Sequence, residues 1–304
     1  MPTYYGDLAD LKVASVLAAE LRSLLADKAS LWKHPALAYC GDQNGSGSAI
    51  RKVPFAGIGF DEMASIAENA SATDTAIGTA SVDIGIARHV LQRSVSDLAM
   101  LTDSTGLNIA LLAQDGFQAA AGCFTRLICN AGSAFAATAG SSGAPMSVNA
   151  WFDAQFALTE AANDAAAIAV LHPKAWTQLQ SSLRAETSNL IAYSPADRAK
   201  LDFYPTGYVG TFNSIDIFVS TRVPGVNAGV DYGSCMFTTG AIGYVEGTVS
   251  QIRGGNEVMT IAGTPVVTEL ERDASGGLSK LVHSYYCGVS ILEQARGVTI
   301  VSQQ

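Results

Sequence analysis

Between residues 7 and 29, apolar side chains recur at spacings of three and four, which places them near one face of a helix. The stripe comprises Leu8, Leu11, Val16, Leu17, Leu21, Leu24 and Leu25. The pattern ends before His34 and Pro35, a pair that breaks a helix. Because a helix of this length is only marginally stable alone in water, we expect it to dock, either on its own domain or on another chain.

A strand pattern follows, in which Val82, Ile84 and Ile86 alternate with polar or small residues, as in a strand with one buried face. The weakly alternating residues 51–55 are its candidate partner, so the sequence predicts a long hairpin. About eighteen polar and small residues, 61–78, separate the two strands, and an insertion of that length usually serves a function or needs a partner. Because an isolated two-stranded ribbon is barely stable in water, we expect another chain to hold this hairpin.

Two helices are predicted in the middle of the chain. The first runs from an N-cap at Ser104 to about Cys129. Gly116 and Gly122 lower its intrinsic propensity, so it needs support from tertiary packing. The second helix follows Ser147.

Strands and one more helix are predicted in the remainder. The continuous apolar run 167–171 is typical of a buried strand, and it leads into a helix that begins at Pro173 and presents Trp176, Leu179 and Leu183 on one face. Further strands are predicted at 215–219, 236–237, 241–245, 266–272, 289–292 and 298–301. This mixture without a regular βαβ repeat indicates the α+β class.

Composition favours a protein that is covered by partners. Of the 304 residues, 48% are hydrophobic and 15% are charged, against about 25% charged in an average globular domain. So much uncharged surface is best explained by burial against other chains. The net charge of −9 argues against gripping nucleic acid over a broad face, although it suits a wall that encloses nucleic acid without binding it.

Cysteine spacing and the chain's apolar stretches indicate a soluble cytoplasmic protein. The five cysteines are Cys40, Cys123, Cys129, Cys235 and Cys287; their odd number and the lack of a C-x-x-C pair favour buried free thiols over disulfides or a zinc site. No signal peptide is recognised at the N-terminus. The longest uncharged stretch, 127–152, contains several glycines and a proline, which favours a loop between two helices over a membrane span.

Catalytic motifs are absent from the sequence. It has no G-x-S-x-G elbow, no G-x-G-x-x-G and no Walker loop. The histidines His34, His89, His172 and His283 lie far apart and outside any metal-binding spacing, so a metal cluster is disfavoured. We expect His172, just before a helix that begins with proline, to serve in capping or packing.

Three carboxylates would share one face if 266–273 is a strand: Glu269, Glu271 and Asp273. Such a row would bind a hard cation or act as an acid–base pair. The alternative, which we favour, is a solvated face or one that pairs with basic residues such as Arg272 on a neighbouring chain. We therefore predict no catalytic, cofactor-binding or metal-binding residue, and no cofactor.

The order of these elements resembles the major capsid protein of tailed bacteriophages, whose fold is shared with encapsulins. A helical arm precedes a long hairpin, a long helix, a mixed lobe and a final set of strands. Four segments carry the resemblance: 167–179, with its strand, proline and tryptophan-bearing helix, followed by 213–224, 234–246 and 283–300.

The resemblance implies a division of the chain and a mode of assembly. The implied parts are an N-terminal arm (1–38), an extended hairpin loop (39–92), a peripheral domain with the long helix (93–139 and 256–288) and an axial domain (140–255 and 289–304). Such subunits form hexamers and pentamers that close around packaged double-stranded DNA, and the extended loop lies over a neighbouring subunit.

Two departures from the family bear on its mechanism. Some members carry a large N-terminal scaffolding segment that is cleaved off; here the arm begins almost at once, so we expect a separate scaffolding protein. Other members crosslink a loop lysine to an asparagine of another subunit. Lys52 occupies the loop position, but residues 270–286 contain no asparagine, so we expect no crosslink.

The sequence thus predicts a non-enzymatic major capsid protein, assembled in the host cytoplasm and located in the virion, with portal and decoration proteins as further partners and no membrane contact. Two alternatives stay open. One is an encapsulin-like compartment shell. The other is a soluble hydrolase with a dispersed site, in which mutation of His172 or Glu271 would abolish activity.

Overall fold

The structure, a computed structural model, describes residues 31, 34–43, 48–57, 78–98, 107–162, 168–185, 193–195, 208–247, 257–260, 266–273 and 275–304. Within these residues the chain forms one eight-stranded sheet, one six-stranded sheet, a two-stranded hairpin and three helices of thirteen residues or more. The helix predicted over residues 7–29 lies outside the described residues.

The element bounds follow the chain order. The strands are β1 (Ala38–Asp42), β2 (Ile50–Gly57), β3 (Gly78–Gly85), β4 (Ala87–Ser96), β5 (Ala137–Ala139), β6 (Ile168–Leu171), β7 (Tyr193–Pro195), β8 (Tyr208–Phe212), β9 (Ile215–Val219), β10 (Gly225–Val226), β11 (Asp231–Phe237), β12 (Ile242–Gly247), β13 (Glu257–Thr260), β14 (Val266–Asp273), β15 (Leu278–Ile291) and β16 (Gly297–Gln303). The helices are α1 (Leu107–Gly132), α2 (Val148–Ala162) and α3 (Pro173–Ala185).

The eight-stranded sheet has the order β5-β16-β11-β6-β9-β8-β7, and β10 pairs with β11. Its central strand β6 is buried on both faces, which explains the continuous apolar run in the sequence. Ile168 and Val170 face one hydrophobic core, whereas Ala169 and Leu171 face a second. The predicted strand and the helix that begins at Pro173 are both confirmed.

Helices α2 and α3 cover one face of this sheet. Trp151 and Leu158 of α2 and Leu179 of α3 are fully buried, and Trp176 is nearly so. They pack with the inward side chains of the sheet strands, among them Phe212, whose ring centroid lies 5.4 Å from that of Trp151.

The six-stranded sheet has the order β1-β12-β15-β14-β13, and β4 also pairs with β15. The β4–β15 ladder is antiparallel and runs from Leu278↔Ser96 to Cys287↔Ala87. Of the strand predicted at 289–292, the structure places residues 289–291 at the end of the fourteen-residue β15, which is far longer than the sequence suggested. Polar residues such as Lys280 and Ser284 interrupt the apolar pattern, so periodicity alone did not reveal the earlier part of this strand.

Helix α1 packs on both large sheets and joins their cores. Its buried residues Phe117, Phe124 and Ile128 contact apolar side chains of both sheets. Its glycines mark close approaches: a Cβ at Gly116 would lie 2.3 Å from the ring of His283, and one at Gly132 would lie 2.4 Å from the Sγ of Cys235. These glycines lower the helix propensity of α1, and they lie at its close contacts with the rest of the fold. This agrees with the expectation that tertiary packing supports the helix.

The predicted hairpin is confirmed as a β2–β3 ladder. The two strands pair in antiparallel register from Ile50↔Gly85 to Gly57↔Gly78. Ile84 is fully buried, whereas Arg51, Lys52 and Pro54 are exposed. The hairpin therefore contacts the rest of the chain at its base.

The uncharged stretch 127–152 contains the end of α1, the short strand β5 and the start of α2, which confirms the prediction of a connection between two helices. Among the described residues, no helix is long and apolar enough to cross a membrane. All five cysteines are free thiols; Cys129, Cys235 and Cys287 are buried, but Cys40 and Cys123 are only partly buried, in contrast to the expectation that all would be. Burial raises the pKa of Cys129 and of Cys287 to about 12 each.

Truncation of Phe124 is expected to be strongly destabilising. Phe124 is fully buried, and its ring packs edge-on against that of Tyr244 at a centroid distance of 5.3 Å. The Phe124→Ala variant should lose about 3–5 kcal/mol of unfolding free energy, measured by urea denaturation of the unassembled subunit. Phe156 on α2 is 67% exposed, so the control Phe156→Ala should change stability by less than about 0.5 kcal/mol. Similar losses in both variants would contradict the packing described here.

Candidate functional site

His172 is a capping and packing residue, as predicted. Its Nδ1 accepts a hydrogen bond from the backbone N–H of Lys174 at 3.2 Å, which satisfies a free donor in the first turn of α3. Its ring stacks on that of Tyr232, with centroids 3.5 Å apart and an angle of 13° between the planes. Partial burial lowers the pKa of His172, so the ring is neutral at pH 7.

Two of the three acidic residues of β14 have a basic neighbour on β15. Asp273 forms an ion pair with Lys280 of the same chain at 3.1 Å. Hydrogen bonds from Ser275 and Lys280 lower the pKa of Asp273 to about 2. Glu271 is exposed and lies opposite Lys280 in the β14–β15 ladder. Among the described residues, no group of three His, Cys, Asp or Glu side chains is arranged to hold a metal ion.

Arg272 pairs within the chain. Its guanidinium donates two hydrogen bonds, of 3.0 and 2.8 Å, to the carboxylate of Asp97. The structure thus offers an intramolecular partner where the sequence suggested a neighbouring chain. Since β14 belongs to the six-stranded sheet and His172 follows a strand of the eight-stranded sheet, Glu271 and His172 do not share a site.

Asp231 is a buried carboxylate that no motif in the sequence marks. It accepts hydrogen bonds from the Ser142 hydroxyl at 2.5 Å, the Gly143 N–H at 2.8 Å and the Asn227 amide at 2.7 Å. These donors lower its pKa, the Asn227 and Ser142 side chains most strongly. The carboxylate thereby ties the loop after β5 and the turn before β11 to the end of the eight-stranded sheet.

Replacement of this carboxylate should therefore loosen both loops. Because the folded pKa of Asp231 is depressed, its contribution to stability is present above the unfolded value of about 3.9 and is lost as pH falls through the folded value. Asp231→Asn should lower the thermal unfolding midpoint at pH 7. It should also flatten the decline in that midpoint below pH 4, measured by circular dichroism against Ser142→Ala, which retains the carboxylate. An unchanged midpoint at pH 7 would contradict this role.

A cleft of about 410 Å³ lies between α1, β4 and β15. It is lined by residues that are remote in sequence: Arg88 and His89 of β4, Arg126 and Cys123 of α1, Arg222, His283 and Tyr285. The register of β4 and β15 places His89 opposite Tyr285 and Leu91 opposite His283, so the two histidines share one face of the sheet. No spacing within the sequence signals this grouping, because it depends on the register of two strands.

Two arginine side chains, Arg126 and Arg222, contribute to the polar lining of the cleft. Arg126 lies 3.6 Å from the Sγ of Cys123, whereas Arg88 donates to the Ser284 hydroxyl at 3.2 and 2.9 Å on the opposite face of the sheet from His89. Arg222 lies against α1 at Gly122, where a Cβ would lie 2.2 Å from its guanidinium. Burial and the nearby Arg126 lower the pKa of His89, so this ring is neutral at pH 7.

Apolar side chains are also exposed on the outer surface. Phe152 and Phe156, one turn apart on α2, are 40% and 67% exposed, and Leu98 after β4 is 71% exposed. With the hairpin, they are surface features of the kind that other chains cover in an assembly.

The sequence matches no family model and no curated protein. The structure, in contrast, is similar to solved shell proteins over most of its length. The capsid of the cyanophage P-SCSP1u aligns with a TM-score of 0.60 and 14% identity, covering 90% of this chain and 88% of that one. A chain from Mycobacterium phage Che8 gives 0.55 and 18%, covering 84% and 85%.

The similarity also extends to a compartment shell. The SrpI encapsulin of Synechococcus elongatus PCC 7942 aligns with a TM-score of 0.52 and 12% identity, covering 84% of this chain and 83% of that one. These matches confirm the resemblance found in the sequence, since they span viral capsids and an encapsulin alike. The chain has the shell-subunit fold that major capsid proteins of tailed phages share with encapsulins.

Proposed function

We propose that this protein is the major capsid protein of a tailed-phage-like particle. Copies of the chain assemble into hexamers and pentamers of an icosahedral shell that encloses double-stranded DNA. The observation that carries this proposal is the alignment with a cyanophage capsid chain over 90% of this chain. The role is structural rather than enzymatic.

The physical properties of the surface support self-assembly. Only 15% of the residues are charged, and large apolar side chains are exposed on α2 and after β4. Obligate interfaces are more apolar than the general protein surface. A hairpin whose described contacts with its own chain lie at its base is also a natural contact for a second copy.

Each predicted domain has its own role within the subunit. Residues 1–38 act as the arm, 39–92 as the extended loop, 93–139 with 256–288 as the peripheral domain, and 140–255 with 289–304 as the axial domain. We expect the extended loop to lie over a neighbouring subunit. A separate scaffolding protein, a portal and decoration proteins stay predictions for the complete particle.

An encapsulin-like compartment is the second candidate, because the fold also matches an encapsulin shell at a TM-score of 0.52. The two candidates differ in what the shell contains. A phage capsid encloses nucleic acid, whereas a compartment of this kind would co-purify with a cargo protein.

Nuclease protection separates the two functions. Particles isolated from cells that express the chain with its neighbouring genes are treated with DNase, and their contents are then extracted. DNase-resistant double-stranded DNA supports the capsid, whereas a stoichiometric protein cargo without DNA supports the compartment. Failure to recover particles from any such culture would contradict both.

A further inference from the structure

We propose that the cleft between α1, β4 and β15 is a binding site for a phosphate group, supplied either by free phosphate or by the backbone of DNA. The site is built from the guanidinium groups of Arg126 and Arg222 and the imidazole of His89. It goes beyond shell formation, and its test does not depend on whether the chain forms a shell.

The charge of the cleft is the first reason. The side chains of Arg126 and Arg222 line it, and its described lining contains no aspartate or glutamate, although the whole chain carries a net charge of −9. Such a local concentration of one sign in an otherwise acidic protein attracts and retains an anion.

Neither arginine of the cleft has a carboxylate partner among the described residues. There, the ion pairs of arginine involve Arg93, Arg272 and Arg296. Arg126 instead contacts the thiol of Cys123, and Arg222 lies against α1 at Gly122. Their charges are therefore not neutralised by described groups, and a bound anion would neutralise them.

The origin of the basic groups favours phosphate over a carboxylate. His89 comes from β4, Arg126 from α1 and Arg222 from the segment after β9, so they approach the cleft from three separate elements. A guanidinium presents a fork of N–H donors that matches two oxygens of an oxyanion. A phosphate group offers more oxygens and more charge than a carboxylate, so it suits a site with two such forks and an imidazole.

The neutral part of the lining suits the same ligand. His89 lies beside the arginines, and its Nε2 is buried without a hydrogen-bond partner in the described structure. Because the other ring nitrogen is hydrogen-bonded to the backbone of Cys287, the ring takes up a proton at Nε2 when phosphate binds, and Nε2 then donates to a phosphate oxygen. The volume of about 410 Å³ accommodates a phosphate together with part of the molecule that bears it.

The alkylation rate of the Cys123 thiol measures whether a ligand occupies the cleft. Cys123 lines the cleft and is partly buried, whereas Cys40, also partly buried, lies outside it. Purified full-length subunit is alkylated with iodoacetamide, and modification of each cysteine is followed by mass spectrometry. At a potassium phosphate concentration ten times the half-protection value, Cys123 should react about tenfold more slowly. The rate at Cys40 should not change.

Two parallel experiments identify the source of the phosphate. One uses potassium phosphate, and the other uses a short DNA duplex without terminal phosphates; sodium chloride at equal ionic strength is the common control. Protection by potassium phosphate assigns the site to free phosphate. Protection by the duplex alone assigns it to the DNA backbone.

Matched variants test which arginines are responsible. Arg222→Gln and Arg126→Gln should abolish protection of Cys123. Arg51→Gln should retain it, because Arg51 is an exposed arginine on β2 outside the cleft. Thermal melts establish that the variants fold.

Three results would contradict the proposal that this cleft binds phosphate. The first is no saturable protection by either ligand, and the second is equal protection by sodium chloride or in Arg222→Gln. The third is protection of Cys123 that arises only on assembly and is insensitive to phosphate, since a second copy of the chain would then fill the cleft.

Discussion

A chain in which an Asn-Gly dipeptide replaces residues 58–77 is expected to fold normally and to form no closed shells. The β2–β3 ladder ends at the pair Gly57↔Gly78, so the two ends that remain lie opposite each other. A two-residue turn of this sequence connects such a pair without disturbing its register. All β2–β3 pairs are retained, and the unfolding free energy should stay within about 1 kcal/mol of the parent.

The loss of shells follows from the proposed role of the extended loop, which is to reach over a neighbouring subunit. Assembly is measured by size-exclusion chromatography and electron microscopy, and folding by urea denaturation. A second variant with a Gly/Ser segment of equal length separates the effect of sequence from that of length. Normal particles from the shortened chain would show that the loop tip is dispensable and would contradict the proposed role of the extended loop in assembly.

Gly288→Ala should lower the stability of the subunit by disturbing the base of the hairpin. A Cβ at Gly288 would lie 2.2 Å from the carbonyl oxygen of Gly85, at the junction between β3 and β15. The obstacle is backbone, so neither strand yields by rotating a side chain. We expect a loss of about 3 kcal/mol in unfolding free energy and a displaced hairpin.

The matched control for this substitution is the glycine on the other side of the contact. A Cβ at Gly85 meets no atom within 4 Å. Gly85→Ala should therefore change the unfolding free energy by less than about 0.5 kcal/mol. Both variants are compared by urea denaturation of the unassembled subunit and then for shell formation. Equal stability of the two variants would contradict the close approach of the strands.

Elements with a strong local pattern were predictable from the sequence. The continuous run that became β6 is apolar at every position because both faces of the strand are covered. Pro173 marks the start of α3 because a proline at that position loses no helical hydrogen bond. The order of such elements was enough to indicate a capsid fold, even though the matched phage chains described above share only 14–18% of their residues with this chain.

Strands β4 and β15 were harder to predict because their burial is uneven. Val90 in β4 is 50% exposed, and exposed and partly buried residues alternate irregularly along that strand. In β15, His283 and Ser284 are buried next to each other although both are polar. Hydrophobic periodicity therefore fails for both strands, and their pairing depends on tertiary contacts.

The arginine cleft could not have been found without that pairing. His89, Arg126 and Arg222 are separated by tens of residues and line one cleft only when β4, α1 and the segment after β9 pack together. The acidic residues of β14 illustrate the reverse case. Their spacing suggested a site. In the fold, Asp273 forms an ion pair with Lys280 and Glu271 is exposed.

Negative-stain electron microscopy of the purified chain, expressed alone and with its neighbouring genes, tests the central claim most directly. The account predicts closed particles, or rings of five and six subunits, in at least one of these preparations. A stable monomer in every condition would contradict the assignment as a shell subunit.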